Sequence, residues 1–89
     1  MIRCKTVICN QLGLHTRAAS AFVKRSIKFS SIINVIYFDK TSDGKSIMSL
    51  ILLEAGYGAE IEICAEGYDE KVAVHKLVEF VEQKFGELE

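Results

Sequence analysis

The chain has 89 residues, of which 49% are hydrophobic, and its 11 Lys and Arg residues nearly balance 12 Asp and Glu residues. A chain of this length forms one domain that can bury a core without staples. The net charge of −1 argues against nucleic acid as a partner, and no apolar stretch is long enough to insert into a membrane.

The cysteine pattern bears on the compartment. Three cysteines are widely spaced at Cys4, Cys9 and Cys64, and they form neither a Cys-x-x-Cys motif nor a Cys/His cluster. The N-terminal residues lack the long apolar region of a signal peptide. We therefore expect reduced thiols, no metal site and a cytoplasmic location.

The first predicted elements are a strand at residues 2–9 and a helix at about residues 16–28. Charged and apolar residues alternate in the strand, which indicates one solvated face. A turn at residues 10–13 leads into the helix, whose apolar positions recur at helical spacing: Ala19, Phe22, Val23 and Ile27.

A histidine stands where this helix begins. His15 lies at or just before the first helical turn, where backbone N–H groups lack intrahelical partners. The helix dipole adds positive potential, and Arg17 adds a cation with several donors. Together they could hold a phosphate bonded to an imidazole nitrogen. By local pattern alone, a capping or surface histidine is the better interpretation.

The middle of the chain predicts a strand at residues 32–38, a turn at residues 39–44 and a short helix at residues 47–55. Ser46 is the expected N-cap of this helix, and Gly56 is expected to end it. Residues 47–53 are apolar nearly all round, so some of these side chains should remain exposed.

The last third of the chain predicts a strand at residues 59–65 and a final helix that begins near Asp69 and Glu70. The strand alternates between an inward set and an outward set, namely Ile61, Ile63 and Ala65 against Glu60, Glu62 and Cys64. The helix carries an apolar stripe: Val74, Leu77, Val78, Val81 and Phe85. We expect Tyr57 and Tyr68 to close the edge of the core and His75 to face solvent.

One-faced strands and amphipathic helices in this order predict an α+β domain with helices on one side of an antiparallel sheet. Two motifs then carry a resemblance to a known family. The segment Gly13-Leu14-His15-Thr16-Arg17-Ala18-Ala19 resembles the phosphorylation-site motif of HPr, the histidine-containing phosphocarriers of the bacterial phosphotransferase system. The segment Gly44-Lys45-Ser46-Ile47-Met48 is similar to that family's regulatory serine segment and lies at the usual distance from the first.

The resemblance covers residues 1–89 as a single domain and implies a fold. That fold is an open-faced β-sandwich, a four-stranded antiparallel sheet with three helices on one face in the order β-α-β-β-α-β-α. It supplies a short third strand within residues 39–44, which periodicity does not indicate.

The resemblance also implies a function. His15 would accept a phosphoryl group from the phosphohistidine of enzyme I and pass it to the A domains of sugar-specific enzymes II. Imidazole suits this role because its unperturbed pKa of about 6.5 leaves a neutral nucleophile in the cytoplasm. Arg17 would act with His15, and the phosphate would be bound by Thr16, Arg17 and Ala18. Such a chain is a phosphoryl carrier rather than a stand-alone enzyme, and we expect a monomer without a cofactor.

Two residues depart from the family pattern. Ala18 replaces the usual proline in the first helical turn, which restores a backbone donor and loosens the turn slightly. Ser49 stands where many members have glycine. The histidine, arginine and glycine of the motif are all present, so the departures do not indicate loss of activity.

Ser46 has a structural and a functional interpretation. The structural one is an ordinary N-cap, and the functional one is phosphorylation by the family's HPr kinase/phosphorylase. A phosphoserine would add nearly two negative charges beside a predicted docking surface. That surface comprises Lys24, Ile47, Met48 and Ile51.

Three alternatives stay open. The chain could be a regulatory HPr-like module that acts through Ser46 phosphorylation and partner binding. It could belong to a nitrogen-related phosphorelay without sugar import. It could also be a small α+β domain that binds RNA or another ligand, although the neutral charge and the lack of exposed stacking aromatics argue against RNA.

Overall fold

A computed structural model describes residues 1–88. The elements are β1 (Ile2–Val7), α1 (Thr16–Ser26), β2 (Ile32–Tyr37), β3 (Lys40–Asp43), α2 (Ile47–Ile51), β4 (Glu60–Glu66) and α3 (Glu70–Glu82). A 3-10 turn, Lys84–Gly86, follows α3. This order is the predicted β-α-β-β-α-β-α, and the α+β fold class is confirmed.

The four strands form one antiparallel sheet in the order β1-β4-β2-β3. The interior strand β4 pairs with β1 on one side and β2 on the other, so that Ile63 stands opposite both Cys4 and Val35. Because neighbouring residues in a strand point to opposite faces, Ile61, Ile63 and Ala65 all face the helices and are buried.

The core lies between the inward face of this sheet and the three helices. Its largest fully buried side chains include Phe22 of α1, Leu50 of α2 and Leu77 of α3. Cys64 has its predicted place on the opposite face, but it is only 4% exposed, since Arg3 and Asn34 flank it on the adjacent strands. Burial raises the pKa of the Cys64 thiol, which keeps it protonated and unreactive.

Two helices are shorter than the sequence predicts. Helix α1 ends at Ser26, and Ile27, which the spacing places on the buried stripe, is 61% exposed. Helix α2 ends at Ile51 rather than residue 55. Glu54 has a φ of 56°, which a right-handed helix does not allow. The chain thereby turns, and the carbonyl oxygen of Ala55 accepts a hydrogen bond of 2.9 Å from the N–H of Leu14.

The segment after α3 also differs from the prediction. Phe85 is buried as expected, but α3 ends at Glu82, and Phe85 lies in the following turn. Lys84, Phe85 and Gly86 have φ values of 60°, 54° and 76°. The left-handed conformation costs about 1–2 kcal/mol at each non-glycine residue. Burial of the Phe85 ring edge-on against Phe22 and Phe80 offsets that cost.

Side-chain hydrogen bonds connect α2 and the start of α3 to neighbouring segments of the chain. Asp69 precedes α3, but its carboxylate makes no capping bond to that helix. It accepts hydrogen bonds from the N–H groups of Ser30 and Ser31 at 2.9 and 3.0 Å. The Oγ of Ser49 lies 2.8 Å from that of Ser42, so this family departure joins α2 to β3.

The remaining surface predictions have mixed outcomes. Tyr57 and Tyr68 are 69% and 100% exposed, so the prediction that they close the edge of the core is wrong. Tyr57 lies in the turn before β4 and Tyr68 in the turn before α3, where both side chains extend into solvent. His75 on α3 is exposed, as its place off the apolar stripe indicates.

Candidate functional site

The site begins with the turn before α1. Gly13 has a φ of 68° and donates its N–H to the carbonyl oxygen of Asn10 at 3.1 Å. A Cβ atom at this position would lie 2.6 Å from the Cα of Gly56 and 2.8 Å from the carbonyl oxygen of Ala55. Only glycine has both the conformation and the size that the turn requires.

This turn presents His15 as the N-cap residue of α1. The residue is extended, with φ −81° and ψ 179°, and its side chain is 24% exposed. The first intrahelical hydrogen bond runs from the N–H of Ala19 to the carbonyl oxygen of His15 at 2.8 Å. The N–H groups of the three predicted phosphate-binding residues, Thr16, Arg17 and Ala18, precede this bond and are therefore not used within the helix.

The structure thus brings the imidazole, the first-turn N–H groups and the Arg17 guanidinium to one place. The side chain of Arg17 is 77% exposed, so its guanidinium can move toward an anion bound at this site. The roles of these residues stay predictions, but their arrangement can bind an anion and offers a nucleophile beside it.

Glu87 is the site residue that the sequence analysis missed. Its Oε2 contacts the Nε2 of His15 and lies 3.8 Å from the Nε of Arg17. Its Oε1 accepts a hydrogen bond of 2.8 Å from the Nδ2 of Asn10. The sequence separation of 72 between His15 and Glu87 leaves no local spacing signal, since the turn after α3 brings the two together.

The environment of Glu87 keeps its carboxyl ionised. Only 12% of the side chain is exposed. Burial alone would raise the pKa, but the hydrogen bonds from Asn10 and His15 and the nearby charges of His15 and Arg17 outweigh it and hold the pKa of Glu87 below its ordinary value. The group is therefore a carboxylate at neutral pH.

Asn10 links this carboxylate to the glycine turn. The residue is completely buried, and its Nδ2 also donates a hydrogen bond of 2.8 Å to the carbonyl oxygen of Gly13. One buried amide therefore fixes both the turn that carries His15 and the carboxylate that contacts it.

We expect Gly13→Ala to destabilise the domain by about 2–4 kcal/mol. The added Cβ would meet backbone atoms, and the left-handed conformation disfavours alanine as well. Gly58→Ala is the matched control, because Gly58 has a φ of 83° with nothing within 4 Å of its added Cβ. Urea unfolding should give about 1 kcal/mol for the control. Equal losses in the two variants would contradict the packing argument.

The second predicted segment surrounds Ser46. Its Oγ accepts a hydrogen bond of 3.2 Å from the N–H of Ser49, so the predicted N-cap is confirmed. Of the predicted docking residues, Met48 is 66% exposed and Ile47 38% exposed, whereas Ile51 packs partly against the core. Leu52, which was not predicted, is 64% exposed.

Lys24 of the predicted docking set is exposed on α1, the helix that packs against α2. Within residues 1–88, no group of three or more His, Cys, Asp or Glu residues could hold a metal ion. No helix in the same part of the chain is long and apolar enough to cross a membrane.

An open-faced α+β domain with a histidine at a helix start, beside an arginine, has the fold and the motif that the sequence resemblance implies. Comparison with known proteins supports that resemblance. Residues 2–83 match the family model described as "PTS HPr component phosphorylation site". The chain belongs to the HPr family, the phosphocarrier proteins of the phosphotransferase system.

Two relatives and one solved structure illustrate the similarity. The phosphocarrier protein HPr of Borreliella burgdorferi is 40% identical over 82 residues, which cover 92% of this chain and 95% of the relative. The phosphocarrier protein NPr of Shewanella violacea is 32% identical over 83 residues, or 93% and 91% of the two chains. The crystal structure of HPr from Thermoanaerobacter tengcongensis superposes with a TM-score of 0.94 at 40% identity, covering 100% of both chains.

Proposed function

We propose that this chain accepts a phosphoryl group on His15 from the phosphohistidine of enzyme I and transfers it to the A domains of sugar-specific enzymes II. The observation that carries the proposal is the place of His15, whose partly exposed imidazole lies at the start of α1 beside Arg17. Membership of the HPr family supports it.

The chemistry at this site needs positioning and charge neutralisation. The lone pair of an imidazole nitrogen attacks phosphorus, and the N–P bond of the donor breaks with its electron pair returning to the donor's nitrogen. The first-turn N–H groups and Arg17 stabilise the negative charge on the equatorial oxygens. Since the product is again an N–P bond, the group stays available for the next transfer.

We propose that partner proteins dock on Ile47, Met48 and Leu52, which we call the apolar patch, and on the exposed cation Lys24. An exposed apolar centre with a positive edge fits an acidic-rimmed groove on a partner, where burial holds the complex and charge speeds encounter. Met48 is the proposed anchor, because a flexible thioether adapts to several partners in turn. Ile51 contributes less, since it packs partly against the core.

Ser46 is proposed as a regulatory phosphorylation site for HPr kinase/phosphorylase. Its hydroxyl lies at the start of α2, next to Ile47 and Met48. A phosphate there would add nearly two negative charges beside the apolar patch. Binding of enzyme I should weaken because the phosphate would be desolvated and would repel an acidic rim.

We expect Met48→Asp and Ser46→Asp to weaken enzyme I binding by tenfold or more without unfolding the domain. The first places a charge in the centre of the apolar patch, and the second mimics a phosphoserine while preserving a capping side chain. Val72→Asp is the matched control, since Val72 is an exposed apolar residue of α3. Calorimetric titration should separate the variants. Unchanged affinity of Met48→Asp would place the docking surface elsewhere.

In this role the chain works in the cytoplasm as a monomer. Cys4, Cys9 and Cys64 are free thiols, which agrees with a reducing compartment. A second T. tengcongensis structure, 41% identical over 98% of this chain and 100% of its own with a TM-score of 0.77, is described as an HPr dimer. Light scattering of the purified chain would therefore check the monomer directly.

The test of the function is incubation with enzyme I and phosphoenolpyruvate, with the product read by intact-mass spectrometry. One added phosphoryl group that is lost in acid is the expected result. The reaction is run with enzyme I of the sugar system and, separately, with its nitrogen-branch counterpart. The enzyme that phosphorylates the chain identifies the relay that the chain serves. No phosphorylation by either would contradict the proposal.

A further inference from the structure

Helices α1 and α3 contact each other, and a surface cavity of about 230 Å³ opens between them near the end of α1. We call it the α1–α3 cavity. Arg25 lines this cavity and follows His15 by ten residues. Because each helical residue rises about 1.5 Å, the cavity lies on the order of 15 Å along α1 from the start of the helix. It is therefore separate from the site at His15. Its lining includes Arg25, Lys28, Lys76, Glu79, Phe80 and Gln83.

The basic residues of the α1–α3 cavity have no acidic partners. Arg25, Lys28 and Lys76 are exposed, and none of them forms a salt bridge within residues 1–88. Glu79 is the acidic residue among the described residues of the lining, and it too forms no ion pair in that part of the chain. This excess of cations contrasts with the net charge of −1 for the whole chain. The cavity therefore attracts anions.

Arg25 is held in place by an aromatic ring. Its Cζ lies 4.0 Å from the centroid of the Phe80 ring, and Phe80 is buried. A guanidinium that stacks over a ring keeps its N–H donors around its edge. Within the described part of the chain, none of these donors forms a hydrogen bond to the protein. The guanidinium is thus preorganised to bind an oxyanion through two N–H groups at once.

The side-chain donors are not needed to cap the helix that carries them. At the end of α1, the carbonyl oxygen of Arg25 accepts a hydrogen bond of 3.2 Å from the N–H of Lys28. The carbonyl oxygen of Ser26 accepts one of 3.1 Å from Phe29. The carbonyl oxygen of Phe29 in turn accepts one of 2.7 Å from the Nζ of Lys45. The dipole of α1 favours cations at this end, and the donors of Arg25 and Lys28 remain available to a ligand.

We propose that the α1–α3 cavity binds a small phosphate ester that carries hydroxyl groups, such as a sugar phosphate. Arg25, Lys28 and Lys76 bind the phosphoryl oxygens, Arg25 through two N–H groups and each lysine as a point charge. A carboxylate only accepts hydrogen bonds, so Glu79 requires hydroxyl donors on the ligand. The Gln83 amide can donate to a hydroxyl group or accept from it. Binding is reversible and involves no covalent step.

The size of the cavity agrees with this class of ligand. A volume of about 230 Å³ suits a monosaccharide phosphate, whereas pockets for larger ligands reach about 300–1,000 Å³. The inference does not depend on phosphoryl transfer at His15, since the two sites share no residue.

The test is a titration of the nitrogen-15-labelled chain with glucose 6-phosphate, followed by NMR of the backbone amides. We expect saturable shifts that are confined to the end of α1 and to α3 from Lys76 onward. Inorganic phosphate should bind about tenfold more weakly, because it lacks the sugar hydroxyl groups, and glucose should cause no shifts. Shifts centred on Thr16 and Arg17 would place the anion at the start of α1 and overturn the inference. Equal affinities for the ester and for inorganic phosphate would also overturn it.

Matched variants test the assigned contacts. Arg25→Gln and Lys76→Gln should each weaken binding of glucose 6-phosphate by about tenfold or more, since each removes a charge-assisted hydrogen bond. Lys71→Gln is the control, because Lys71 is an exposed lysine of α3 outside the cavity lining, and it should bind as the parent does. The amide spectrum shows that each variant is folded. Parent affinity in both Arg25→Gln and Lys76→Gln would contradict the proposed site.

A lipid headgroup offers the same phosphate ester chemistry, so vesicles distinguish the two sources. The chain is sedimented with vesicles of phosphatidylglycerol and, as a control, of phosphatidylcholine. We expect it to stay in the supernatant with both, because the ligand enters a cavity rather than contacting an extended surface. A chain that sediments with phosphatidylglycerol but does not respond to glucose 6-phosphate would overturn the inference.

Discussion

Replacement of His15 by alanine is expected to abolish acid-labile phosphorylation by enzyme I and phosphoenolpyruvate completely. The imidazole is the nucleophile of the proposed step, and neither the first-turn N–H groups nor Arg17 can form the N–P bond. The fold should persist, because the His15 side chain lies outside the core and the Glu87 carboxylate that it contacts keeps its hydrogen bond from Asn10.

His75→Ala provides the control for this result. His75 is exposed on α3, and the variant should accept the same single phosphoryl group as the parent. Intact-mass spectrometry before and after mild acid treatment measures both variants. Label that persists in His15→Ala would assign the phosphoryl group to a different side chain.

Arg17→Ala should slow transfer by about 10²-fold, the usual effect of removing one donor that stabilises transition-state charge. The same change should have little effect on stability. The ion pair with Glu87 spans 3.8 Å from a side chain that is 77% exposed, and such pairs contribute at most about 1 kcal/mol. The melting temperature should therefore fall by no more than about 4–8 °C.

One further variant separates the shape of the donor group from its charge at this position, and a second serves as a control. Arg17→Lys should restore part of the rate, because lysine supplies a point charge without the planar fork of donors. Arg3→Ala is the control for loss of an exposed arginine, since Arg3 pairs with Glu62 at 3.6 Å on the sheet. It should transfer at the parent rate. An unchanged rate in Arg17→Ala would mean that the backbone donors suffice.

The elements that sequence predicts well are those whose pattern is local. The alternation of apolar residues at Ile61, Ile63 and Ala65 with outward residues predicts a strand with one buried face. In β4 these three side chains are buried, as predicted. The start of α1 at Thr16 follows from the glycine turn and the helical spacing of Ala19 and Phe22. Neither signal depends on contacts with distant parts of the chain.

The elements that sequence predicts poorly depend on distant contacts or unusual backbone. The apolar run after Ser46 fits a helix up to residue 55, but Glu54 turns the chain so that Ala55 can bond to Leu14. Likewise, the apolar stripe of α3 extends to Phe85 in the sequence, whereas the backbone turns left-handed at Lys84. The apolar pattern alone would place Ala55 and Phe85 within helices.

The candidate site divides in the same way. The motif around His15 and Arg17 is visible in the sequence because all its residues lie within one turn. Glu87 belongs to the site only through a turn that places two non-glycine residues at positive φ. An acidic residue near the end of a charged helix gives no sign of such a contact, so sequence analysis could not have found it.

The strand order β1-β4-β2-β3 has a consequence for how the chain is made. Both ladders of the central strand require residues 60–66, so a growing chain that has exposed only its first half cannot yet pair β1 with anything. Such non-local pairing is slow to nucleate. On the ribosome, the first strand and the His15 turn must therefore wait for most of the chain, and the Glu87 carboxylate that contacts the imidazole emerges after every strand.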